Sequence, residues 1–101
     1  MDNTESKILS LNLKKRYFDQ IKRGVKTSEY RLYKIYWIKR LMNKDGSFKH
    51  FDFVHFSNGY HSKAPKMLVE CNSIKITRKK NMSFWFRKYF EIRLGKVIEK
   101  N

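Results

Sequence analysis

The chain of 101 residues contains one cysteine, one proline, four glycines and nine acidic residues. A lone cysteine excludes an intramolecular disulfide and any multi-cysteine metal site within the chain. With so little proline and glycine, no linker or internal repeat stands out, and nothing supports a domain boundary. No apolar run approaches the length of a membrane span, and residues 1–6 are polar and acidic, unlike a secretory signal. The cytoplasm is therefore the expected address, with a frayed, flexible terminus over residues 1–6 and one domain over residues 7–101.

What the chain does have is positive charge. Twenty-four Lys and Arg set against the nine acids give a formal net charge of +15 and a pI near 10.1. The first 50 residues hold 13 bases and 5 acids and the remainder 11 and 4, so the charge belongs to the whole domain and not to a tail. Such an excess repels itself in a compact state, and a polyanion whose counterions are released on binding relieves it. Nucleic acid is the favoured partner, and an acidic protein is the alternative. A membrane surface is disfavoured, because no stretch joins a wide apolar face to a uniformly basic one. Aromatic residues at 16% and hydrophobic ones at 41% supply a core, which argues against a disordered basic tail.

Periodicity predicts the element order β-α-β-α-β-β-β, an α+β fold of about five strands and two short helices. Leu9, Leu11 and Leu13 alternate with polar residues as in a half-buried strand. Tyr17, Phe18 and Ile21 fall on one side of a helix over residues 14–23, which Gly24 stops. A strand over residues 27–32 and a helix over residues 33–42, carrying Tyr33, Trp37 and Leu41, come next. Strands follow over residues 50–56, 66–77 and 89–99, with a loop over 57–65 and a connection over 78–88. Apolar parity in the 66–77 strand shifts from Met67, Val69 and Cys71 to Ile74 and Ile76, predicting a bulge near Asn72 and Ser73. A second break falls at Gly95.

Three groups of residues invite chemistry. Thr27, Glu29 and Arg31 project from one strand face just after Lys26. Such a row is costly to bury without partners, so it should line a cleft, where Glu29 accepts from an exocyclic amine and Arg31 grips a phosphate. A structural Glu–Arg pair on a solvated face is the competing arrangement, and spacing does not decide between them. Lys75, Arg78, Lys79, Lys80, Arg87 and Lys88 surround Phe84, Trp85 and Phe86, a pattern suited to gripping a backbone while one ring stacks on a base. In the loop, Asn58 is placed to read a base edge and Tyr60 to stack on its face. His50, His55 and His61 have no carboxylate or cysteine at a zinc-like spacing, so neither a metal nor a cofactor is expected. Cys71 is expected to be a small core residue.

Residues 7–42 resemble the front half of an ASCH domain, whose hallmark is a strand, a short helix and a Gly-x-Lys-Thr-x-Glu-x-Arg run. Gly24, Lys26, Thr27, Glu29 and Arg31 match that run, and Trp37 falls where many members carry tryptophan. The stretches at residues 51–74 and 89–99 also resemble the family's remaining strands. The resemblance implies a small PUA-like β-barrel with a helix-lined cleft, in a superfamily associated with RNA and modified bases. Some small members are amidohydrolases acting on acetylated cytidine, some are reported to cleave RNA, and others only bind. The amidohydrolase type has a lysine at the position of Lys26 but a threonine where this chain has Glu29. The expectation is a nucleic-acid-binding module, with RNA favoured over DNA. A hydrolase using Lys26 and Glu29, and a small inhibitor or adaptor with a protein partner, are the alternatives.

Overall fold

Alternating apolar residues fold the chain into strands whose one face is buried, and two short helices cover that face. The computed structural model describes residues 7–80 and 86–100. The elements are β1 (Ile8–Asn12), α1 (Lys15–Lys22), β2 (Ser28–Leu32), α2 (Ile35–Leu41), β3 (Phe53–Ser57), β4 (Lys66–Lys80) and β5 (Phe86–Lys100). The expected frayed residues 1–6 lie outside the described ones.

The five strands form one curled mixed sheet, a half-barrel of order β1-β3-β4-β5-β2. β1 runs parallel to β3, and every other neighbouring pair is antiparallel. Strand register puts the apolar residues on a single face. Leu9 and Leu11 lie opposite Val54 and Phe56, which in turn face Val69 and Met67. Ile74 and Ile76 meet Ile92 and Phe90 across β4 and β5. Phe18 and Ile21 of α1 and Leu41 of α2 join the same buried cluster, so both helices pack on the concave face. Tyr33, Trp37, Ile38 and Met42 pack against its margin.

Local chemistry explains the boundaries. Gly24 takes φ +78° just past α1 and donates its N–H to the Ile21 carbonyl, a left-handed stop that a side chain would strain. The ladder between β4 and β5 slips at three places from Leu68 to Ser73, where the parity change anticipated a bulge. Gly95 lies beside that irregularity, and a Cβ there would come within 2.6 Å of Glu70 Oε1 and 2.8 Å of Asn72 Oδ1.

Two expected boundaries are corrected. β3 begins at Phe53 rather than His50, because the Asp52 N–H donates to the Lys7 carbonyl and the Asp52 carbonyl accepts from Cys71, outside the regular ladder. The connection over residues 78–88 is shorter than expected: Arg78, Lys79 and Lys80 pair with Lys88, Arg87 and Phe86 as a continuation of the β4–β5 hairpin. Among the described residues, no helix is long and apolar enough to cross a membrane.

Candidate functional site

Glu29 and Arg31 lie opposite Ile92 and Phe90 on β5, and therefore project to the concave side of the sheet. The Glu29 side chain is only 9% exposed, and its charge is met from two sides. Arg31 approaches Oε2 through Nε at 2.9 Å and through its terminal nitrogen at 2.8 Å, while Lys26 Nζ stands 3.5 Å from Oε1. Arg31 also donates to the Asn12 carbonyl at 3.0 Å. As β1 and β2 are the two outer strands of the sheet, this guanidinium links the edges of the half-barrel across its open side. Lys26 lies near the rings of Tyr17 and Tyr30, and the Thr27 side chain is exposed. Sequence spacing thus located a real cluster of Lys26, Glu29 and Arg31, which is a paired network.

An open cavity of about 470 Å³ lies beside it. Its floor is Ser10, Leu11 and Asn12 of β1 with His55 and Ser57 of β3, and its wall is Tyr36, Trp37 and Arg40 of α2. Arg31 and Tyr60 complete the lining. Of the predicted site residues, Arg31 and Tyr60 therefore reach the cavity, while Lys26, Thr27, Glu29 and Asn58 do not line it. The outer edge of β1 presents carbonyls to which no strand among the described residues donates, and guanidiniums cover two of them: Arg40 donates to Ser10 at 3.0 Å and Arg31 to Asn12. Both guanidiniums sit over the Trp37 ring, at 4.9 Å for Arg31 and 5.2 Å for Arg40. Tyr36 meets Trp37 edge-on at 4.9 Å. Two cations and three aromatic rings line the cavity, and no carboxylate does among the described residues.

The loop after β3 is tethered to this floor. The Asn12 side-chain amide donates to the Gly59 carbonyl at 2.8 Å, and its oxygen accepts the Gly59 N–H at 3.1 Å. Ser57 Oγ donates to the same carbonyl, and the Asn58 side chain donates to Leu13. Asn58, proposed on sequence to read a base edge, thus directs its amide nitrogen into the protein. Tyr60, held at the tip of this tethered loop, is 93% exposed at the cavity rim.

The basic residues of the hairpin divide between the two faces of the ribbon. Lys75, Lys79 and Arg87 project from the convex face, where Lys75 lies 3.8 Å from Glu91 and Lys79 stands 3.8 Å over Tyr30. Arg78 and Lys88 project from the opposite face, with Lys88 4.4 Å over Tyr33. Glu91 is buried and accepts from Ser28 Oγ at 2.8 Å. Burial and the adjacent Glu91 carboxylate hold the Tyr30 phenol above its ordinary pKa. Phe84 and Trp85, and the side chains of Lys80 and Phe86, lie outside the described residues.

Among the described residues, no three His, Cys, Asp or Glu side chains group closely enough to hold a metal ion. His50 pairs with Asp52 at 2.9 Å, and the Lys7 backbone N–H followed by His50 lowers the Asp52 carboxyl below its ordinary range. Cys71 is half-buried at the margin of the core rather than within it, and burial raises its thiol pKa.

Sequence reasoning did not select Ser10, Asn12, Tyr36, Trp37, Arg40, His55 or Ser57 as a joint site. A signal existed: Ser10 and Asn12 alternate with the buried Leu9 and Leu11, and Arg40 follows Trp37 by three residues and Tyr36 by four on one helix face. No family model, curated protein or solved structure matches the chain.

Proposed function

We propose that the chain is a nucleic-acid-binding module that holds an unpaired nucleotide in the cavity between β1, β3 and α2. The observation that carries this reading is a cavity lined by two guanidiniums and three aromatic rings, with no carboxylate among the described residues that line it, in a protein of net charge +15. Its volume falls within the roughly 300–1,000 Å³ of small-ligand sites. Arg40 makes one hydrogen bond among the described residues, to Ser10, which leaves most of its five donors for a phosphate. Tyr60 and Tyr36 offer faces on which a base stacks, while Ser10, Ser57 and His55 supply donors and acceptors along the floor. Glu29 and Lys26 act indirectly: Glu29 aligns Arg31, and Arg31 in turn shapes the cavity wall.

A curled five-stranded sheet with two helices is compatible with the small PUA-like barrels of ASCH type that the sequence resembles. That resemblance, strongest over residues 7–42, favours RNA over DNA as the ligand. The test is fluorescence anisotropy with short single-stranded RNA and DNA across a salt series. If about six phosphates are neutralised, affinity for a single strand falls by roughly 300-fold between 50 and 200 mM salt. Arg40→Ala lowers affinity while leaving the thermal melt close to that of the parent. Binding that is absent, or indifferent to both salt and Arg40, refutes the proposal.

A further inference from the structure

At the end of β2, where Leu32 pairs with Tyr89 and the Tyr33 N–H still donates to the Lys88 carbonyl at 3.0 Å, the β4–β5 hairpin narrows to a ribbon two strands wide. Its next two rungs are unusual in charge. Arg78 lies directly opposite Lys88, and Lys79 directly opposite Arg87. Successive rungs face opposite sides of a pleated ribbon, so each face carries one pair of apposed cations. All four side chains are exposed, and none forms a salt bridge among the described residues. Like charges directly across a ladder destabilise it, and here the opposition occurs twice in succession. Lys79 and Lys88 find only aromatic rings, Tyr30 and Tyr33, on the body of the protein.

A flat anionic surface would neutralise one face and leave the other repelling itself. Two phosphate backbones running on either side of the ribbon neutralise both. We infer that the ribbon bearing these two rungs lies in a groove of a double-helical nucleic acid, with the pair Arg78 and Lys88 against one phosphate backbone and Lys79 and Arg87 against the other. The inference rests on the nucleic-acid reading above and adds a second, duplex-directed contact separate from the cavity. The shared chemistry is a pair of backbones flanking a groove. The major groove of B-form DNA, about 12 Å wide, admits a two-stranded ribbon, whereas A-form RNA offers a narrow major groove and a wide, shallow minor one.

The test compares the full chain with two double variants, R78Q/K88Q and K79Q/R87Q, on a blunt 20-base-pair DNA duplex, the matching RNA duplex and a single-stranded RNA trinucleotide. On whichever duplex binds, each double variant lowers the salt slope by about 1.8, equivalent to about 60-fold in affinity at 0.1 M salt against a 1 M reference. Removing the like-charge rungs leaves the thermal melt unchanged or higher, so lost binding does not reflect lost folding. The DNA and RNA arms identify which duplex supplies the groove. Loss from one double variant only indicates a flat contact and overturns the inference, as does failure of both duplexes to bind. The cavity reading fails separately: trinucleotide binding is then absent while duplex binding still depends on both rungs.

Discussion

Replacing Arg31 by methionine removes three interactions while retaining much of the side chain's apolar stem. The Glu29 carboxylate, 9% exposed, loses both contacts from the guanidinium and keeps, among the described residues, Lys26 at 3.5 Å. The Asn12 carbonyl on the edge of β1 loses its donor, and Trp37 loses one of its two cations. Breaking a buried pair from one side costs about 3–5 kcal/mol, because the remaining charge stays desolvated. Arg31 is itself 19% exposed, and Lys26 partly compensates, so the expected loss is near the lower bound, about 3 kcal/mol. For a domain of this size that is a fall of roughly 12–24 °C in Tm. Urea unfolding provides the measurement, with an unchanged m-value as the check that the native state is intact. The companion E29M/R31M replaces both partners with apolar groups and recovers most of the loss. A single variant costing less than about 1 kcal/mol, with no recovery in the double, refutes the argument that this pair is desolvated.

Other substitutions probe separate parts of the account. Arg40→Ala weakens single-stranded RNA binding about tenfold and lowers its salt slope by about 0.7, the value of one phosphate contact, read by anisotropy at several salt concentrations. Asn12→Ala removes two of the three side-chain hydrogen bonds that hold Gly59, leaving only the one from Ser57 Oγ among the described residues, so Tyr60 becomes more mobile by fluorescence anisotropy and oligonucleotide affinity falls several-fold; unchanged affinity removes the loop from the site. Gly95→Ala pushes a methyl group to 3.0 Å from Glu70 Cβ and displaces the Glu70 carboxylate that accepts from the Lys96 N–H, costing about 1–2 kcal/mol by urea unfolding. The Tyr30 phenol has a raised pKa when folded, so its contribution to stability is full below the ordinary value of about 10 and is lost as pH rises through the folded value. Tyr30→Phe abolishes the late component of the absorbance titration at 295 nm.

Much of the fold could be read from the sequence because the core is built by strict alternation. Leu9 and Leu11 against Ser10 and Asn12, and Phe90 and Ile92 along β5, fixed which face of each strand joins the core, although Glu91 on the opposite face is buried as well. Gly24 and the parity change near Asn72 marked a helix end and a bulge through backbone requirements that few residues satisfy. The site was less accessible. Period two correctly placed Glu29 and Arg31 side by side, but only the register with Ile92 and Phe90 turns them toward the concave side of the sheet. The cavity draws on β1, α2, β3 and the following loop, segments up to 50 positions apart, and no local pattern encodes their meeting. The hairpin was misread for a different reason: its run of bases suggested a loop, whereas cross-strand pairing keeps it in the ladder and divides its charge between two faces.

Mapping of photo-crosslinks tests the central claim most directly. Single-stranded RNA carrying 4-thiouridine, irradiated with the protein and digested for mass spectrometry, is predicted to mark Tyr36, Trp37 or Tyr60 at the cavity, with yield falling as salt is raised. Crosslinks confined to surfaces away from β1, α2 and the 57–65 loop, at a yield that salt does not change, contradict it.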